Sequence, residues 1–130
     1  MRIAYVVHKL PPYSVGGVEV YTWSLARQVA ALGHEVHIFH SLRGHAHAPV
    51  RAAREGVHLW RVPLPAERGG LAWRFWHSVR HGGIERAFAA FLQVVEPEVV
   101  HFQHLQDVSV RLVALARGRA RILSLHDYWY

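Results

Sequence analysis

The segment from Ile3 to Val7 is rich in β-branched residues with no polar alternation, and it runs into a loop with two prolines and a double glycine and then into an amphipathic stretch. An apolar run without alternation fits a strand buried on both faces, the kind found in parallel sheets covered by helices. After the loop, Val18, Tyr21, Leu25, Val29 and Leu32 recur at intervals of three and four, which predicts a helix with one apolar face on that sheet. Gly33 predicts the left-handed residue that ends the helix, and Val36 to Phe39 a second buried strand. This is the layout of a βαβ unit with a right-handed crossover.

The periodicity lapses from Ser41 to Gly56, which predicts a surface loop. Val57 to Val62 predicts a third strand, stopped by Pro63 and Pro65. Leu71 to Val79 predicts a short, aromatic-rich helix with Leu71, Phe75 and Val79 on one side, broken off by Gly82 and Gly83. Ile84, Phe88, Phe91 and Val95 predict a longer helix ending at Pro97. Val99 to Phe102 is a fourth strand, Val108 to Ala116 a helix closed by Gly118, and Ile122 to Leu125 a fifth strand. The alternation predicts one α/β domain over residues 1–130, a doubly wound, Rossmann-like parallel sheet of order 3-2-1-4-5. In that order the first and fourth strands are neighbours and the winding reverses between them, which opens a crevice at their C-terminal ends. Position then selects His8 through Gly17, His101 through Gln106, and the pair His126 and Asp127.

Gly16 and Gly17 let a ligand approach the backbone, and a helix starting near Val18 aims free N–H groups at the crevice, so a phosphate or diphosphate fits there; the glycines could equally make a tight turn. Glu19 is ambiguous: it could serve the site at the crevice, but a carboxylate in the first helical turn also stabilises the helix through its dipole, and that reading is favoured. The stretch SVGGVEVY lacks the Lys and Ser or Thr of a P-loop and the three spaced glycines of a dinucleotide fingerprint. The second strand ends at Phe39 and His40, with no acid to hold a ribose, which disfavours an NAD enzyme.

The net charge of +6 comes almost wholly from arginines scattered along the chain. Such scatter argues against nucleic acid, which calls for a stripe or patch, and suits an anionic ligand or an anionic membrane surface. With no Cys there is no thiolate site or disulfide, and the apolar opening is too short for a leader or a span, so a cytoplasmic location is expected. Of the twelve His, His45 and His47 share a loop and His101 and His104 straddle a strand end; neither spacing is that of a zinc hydrolase, and no metal is expected. His104 and His126 stand apart because both fall at strand ends facing the crevice, where a His can bond a sugar hydroxyl or move a proton near neutral pH. Asp127 could bond a hydroxyl or cap the segment that follows it.

Taken in order, PPYSVGGVEVYTWSLARQVAALGHEVHIF, PEVVHFQHLQDVS and SLHDYW resemble the N-terminal, acceptor-side domain of the retaining GT-B glycosyltransferases of family 4. The resemblance implies metal-independent transfer of a sugar from a nucleotide-sugar donor to a sugar or lipid-linked acceptor. It places Gly16 and Gly17 near the donor diphosphate and His104 near the transferred sugar. It also implies a C-terminal donor-binding domain, carrying a Glu pair with seven residues between, a spacing no two glutamates of this chain have, and further strands after HDYW. The expectation is therefore a partial domain, inactive alone. The segment Leu71 to Arg80 allows a peripheral contact with the inner membrane surface, although Trp73 and Trp76 also suit a core. The alternative is a non-catalytic interaction module that associates through an apolar surface containing Trp73, Trp76 and Trp129.

Overall fold

The computed structural model describes residues 1–45, 50–66 and 69–127. Six strands form one sheet: β1 (Arg2–Val7), β2 (Glu35–Arg43), β3 (Arg51–Arg54), β4 (Val57–Leu64), β5 (Val99–Phe102) and β6 (Ala120–Leu123). Their order is β3-β4-β2-β1-β5-β6. All neighbours are parallel except β3 and β4. Without β3 the order is the anticipated 3-2-1-4-5, with β1 and β5 flanking the point where the winding reverses.

β1 shows why a run without polar alternation belongs at the centre. Ile3, Tyr5 and Val7 pack into one core with Trp23, Ala26, Val36, Ile38 and Leu59, under helix α1 (Gly17–Ala31). Ala4 and Val6 pack into the other with Phe39, Val100 and Phe102, under α3 (Gly82–Val95), which contributes Ile84, Phe88, Phe91, Leu92 and Val95. Alternation across the pleat thus feeds two apolar layers from one strand.

Several local expectations are corrected. The buried face of α1 is Glu19, Thr22, Trp23 and Ala26, with Val18, Leu25 and Val29 at its margin, whereas Tyr21 and Leu32 are exposed. An aromatic residue and an internally paired carboxylate displace the purely aliphatic stripe. The segment from Ser41 to Gly56 is not all loop. Ser41 to Arg43 extend β2, and β3 turns back onto β4 through Glu55 and Gly56, both at positive φ, as a two-residue hairpin requires. Pro63 does not end β4. Its nitrogen lies on the same side as the Arg61 N–H, which donates to the Val50 carbonyl, so it falls beyond the four-residue β3 and interrupts no rung of that ladder.

Helix α2 (Leu71–Val79) spans the anticipated residues, but Leu71, Phe75 and Val79 face outward and its buried residue is Ser78. Gly82 and Gly83 open α3 instead of separating two helices; His81 is the N-cap, its ring accepting from the Ile84 N–H at 3.2 Å. The helix expected from Val108 shrinks to α4 (Leu112–Leu115), because Asp107 and Ser109 take positive φ and hold a turn. β6 lies two residues earlier than anticipated and is exposed along its whole length.

Candidate functional site

The C-terminal ends of β1, β5 and β6 bring His8, His104, His126 and Asp127 together. The loop after β1 is pinned by buried Leu10 and by the Ser41 hydroxyl, which donates to the His8 carbonyl at 2.7 Å. The His8 and His104 rings lie 4.6 Å apart between centroids. His104 is nearly buried, and its Nδ1 accepts from the Gln106 N–H at 3.2 Å. That bond fixes the proton on Nε2, which lies 3.3 Å from Asp127 Oδ2 and donates to it. Asp127 is half exposed, so a carboxylate-oriented imidazole stands at the mouth of the crevice. His126 Nε2 donates to Oε1 of the fully buried Gln103 at 2.7 Å, and its ring meets the edge of Tyr21 from the first turns of α1.

Glu19 is the charged member that spacing alone undervalued. Its Oε1 accepts from the Ser14 hydroxyl at 2.9 Å and lies 3.6 Å from His8 Nε2. Burial pushes this carboxyl up, but its own backbone N–H, the Ser14 hydroxyl, His8 and Lys9 outweigh that, and its pKa sits below the ordinary value. His8 goes down to about 4, first through burial and then through His104, against the opposing pull of Glu19. The His8–Glu19 approach is therefore a neutral imidazole beside a carboxylate near pH 7, not an ion pair. His8 Nδ1 is buried with no partner among the described residues.

The two glycines differ. A Cβ on Gly16 would overlap Glu19 Oε2, so this residue makes room for the protein's own carboxylate. A Cβ on Gly17 would meet nothing within 4 Å, so the open approach to the backbone lies there. Beneath the crevice, buried Asp107 accepts from Arg74 Nη2 at 3.1 Å, and its N–H donates to the Ser78 hydroxyl at 2.9 Å, which ties α2 to the β5 side of the site.

His101 points elsewhere, pairing with the Ser124 hydroxyl at 2.8 Å and lying against Tyr5. His45 lies against Tyr13, whereas His47 and Trp129 fall outside the described residues. Among the described residues, no three His, Cys, Asp or Glu side chains converge as a metal site would require. None of the described helices is long and apolar enough to cross a membrane. Glu19, Ser14 and Gln103 carry no spacing signature. The available signals were the first-turn position of Glu19 beside Gly16 and the place of Gln103 between the strand end and His104.

A mostly parallel sheet with a glycine loop over β1 and a histidine–carboxylate cluster across its switch point defines a Rossmann-like α/β domain. The family model of the glycosyl transferase 4-like domain matches residues 16–130, and the chain belongs to that family. It is an N-terminal-type domain of family 4, with a glycosyltransferase-related function and, in general terms, a sugar donor and a sugar-accepting substrate. No curated protein matches the chain.

Proposed function

We propose that this domain is the acceptor-side half of a GT-B enzyme that moves a sugar from a nucleotide-sugar donor to an acceptor with retention, using no metal. The observation that carries the reading is the cluster His8–His104–Asp127, whose one exposed carboxylate and oriented Nε2–H stand where β1 and β5 diverge. There the His104 Nε2–H, its tautomer fixed by the Gln106 N–H at Nδ1, turns from Asp127 to a hydroxyl of the transferred sugar, and Asp127 holds the ring orientation until that hydroxyl arrives. Gly17 leaves backbone N–H groups of α1 accessible to the diphosphate, while His126 and Gln103 border the sugar. Stabilising the departing diphosphate also requires donors from the opposite wall, supplied by a C-terminal domain, so the 130 residues alone turn over no substrate. The test is nucleotide-sugar turnover after joining a family C-terminal domain. Rates that survive substitution of both Gly17 and His104 would sink the proposal.

A second reading has its own observation. Leu71, Phe75 and Trp76 are 87%, 62% and 66% exposed on one face of α2, as a surface for peripheral membrane contact or a protein partner would be. Trp73 does not belong to that face, since it stacks inward on His77 at 3.7 Å.

A further inference from the structure

We propose that the cleft between α2 and the C-terminal ends of β2 and β4 binds the anionic group of a sugar-containing acceptor, a phosphate or a carboxylate. The inference rests on the acceptor-side reading above and names the substrate class.

The cleft has a volume of about 610 Å³, within the roughly 300–1,000 Å³ typical of small-molecule sites. Leu64, Pro65 and Trp73 form its apolar walls, and Arg43, His77 and His81 supply its polar groups. These groups form a ladder. The Arg43 guanidinium lies 5.2 Å from the Trp73 ring centroid, Trp73 lies 3.7 Å from His77, and His77 lies 4.7 Å from His81. No acidic residue lines the cleft among the described residues, and Arg43 has no carboxylate partner among them. Burial, chiefly, and then His77 and Arg43 hold the His81 pKa below its ordinary value, against the opposing pull of Glu85.

Hydrogen bonds already made within the fold show which atoms remain for a ligand. His81 Nδ1 accepts from the Ile84 N–H, so its proton sits on Nε2. His77 Nδ1 lies 2.8 Å from the Trp73 carbonyl and donates to it, so its Nε2 is the acceptor of the neutral ring. Arg43 Nη2 is buried with no hydrogen-bond partner among the described residues, a costly state for a charged donor unless something occupies the cleft. Two donors, one of them charged, therefore stand beside an acceptor and an apolar wall. That set matches an oxyanion with a neighbouring hydroxyl on a ring whose C–H face lies against apolar side chains. Arg43 also lines a second recess of about 230 Å³ with Lys9 and Ser14, which extends the positive edge toward the glycine loop and the crevice.

The experiment is titration of the 130-residue chain, followed by tryptophan fluorescence, with glucose 6-phosphate, glucuronate, glucose and inorganic phosphate. At least one anionic sugar should bind about tenfold or more tightly than glucose, and Arg43→Gln should abolish that preference. The phosphate and carboxylate arms identify the anion, and inorganic phosphate shows how much the ring adds. His81→Asn keeps an acceptor for the Ile84 N–H but removes the Nε2 donor, so it reports on the cleft even if the Arg43 variant fails to fold. Equal affinity for glucose and both anionic sugars, no saturable response to either anion, or a preference that survives in a folded variant would overturn the proposal. No donor or second domain is needed, so anion binding that persists in a two-domain enzyme without turnover would count against the transferase reading and leave this one standing.

Discussion

The Glu19 carboxylate occupies the space that a side chain on Gly16 would need, with Cδ 3.1 Å and Oε1 3.2 Å from an ideal Cβ and Oε2 in outright overlap. Gly16 is thus the partner of a buried acid. Gly16→Ala should destabilise the fold by about 1–3 kcal/mol, as overpacking does. In the Glu19→Ala background the same change should cost almost nothing, because the conflict is gone. Gly17→Ala should stay within about 0.5 kcal/mol of the parent, since its side is open. Urea unfolding of the four variants closes the cycle. Additive losses for Gly16→Ala and Glu19→Ala would show that the two residues do not share the space.

This pair also shows where sequence reading succeeds and where it stops. β1 was legible because both of its faces are buried, and α3 because Ile84, Phe88, Phe91 and Val95 meet the sheet on one stripe. The positions of His104, His126 and Asp127 followed from topology alone. The partners did not. That Glu19 turns back to Ser14 and His8, and that Gln103 holds His126, depends on long-range packing that no spacing encodes. β3 escaped because its residues are exposed or only partly buried, so four residues of hairpin left almost no apolar signal. α2 was found, but its orientation was not, because Ser78, Arg74 and Asp107 seat it through polar contacts while its apolar face looks outward.

The role of His104 can be separated from its structural bonds. Asn in its place offers an oxygen near the Nδ1 position, preserving the bond from the Gln106 N–H, and removes the Nε2–H that faces Asp127. His104→Asn should cost about 1 kcal/mol of stability. Turnover by the two-domain enzyme should fall about 100-fold or more. Asp127→Asn should reduce turnover less, as expected of a residue that positions the ring. Far-UV circular dichroism, urea midpoints and nucleotide release are the readouts; equal losses in stability and no loss in turnover would assign His104 to the fold.

Buried neutral histidines make the domain acid-sensitive. His8 and His40 both fall from 6.5 to about 4, chiefly through burial, and burial also lowers His37, His81 and His101. Between about pH 6.5 and pH 4 the unfolded chain takes up protons that the native state refuses, so stability falls as pH falls through this window. For His40 the loss should reach about 2 kcal/mol at pH 5. Glu19, Glu35 and Glu85 have lowered pKa values and add a separate loss only below their unfolded value of 4.5. His40 is fully buried, its Nδ1 donates to the Ser41 carbonyl at 3.1 Å and its Nε2 has no partner among the described residues, so His40→Phe should cost about 1–2 kcal/mol at pH 7, for the orphaned carbonyl, and flatten the profile between pH 6.5 and 5. Urea midpoints at the two pH values test this; an unchanged slope would mean that His40 titrates normally in the fold.

The outward face of α2 sets apolar side chains beside Arg80, which is itself exposed at the helix end. A helix presenting Leu71, Phe75 and Trp76 next to a basic residue should partition into an anionic surface and hardly into a neutral one. The 130-residue chain should therefore pellet with vesicles containing phosphatidylglycerol and remain in the supernatant with phosphatidylcholine alone. Phe75→Ser with Trp76→Ser should weaken the binding by about tenfold or more, because two large apolar side chains no longer leave water. Neither residue enters the buried cores, so the urea midpoint should hold. Sedimentation velocity without lipid separates the two uses of the face. A monomer at all concentrations leaves the membrane as its occupant, whereas concentration-dependent association abolished by the same double substitution assigns the face to a protein partner.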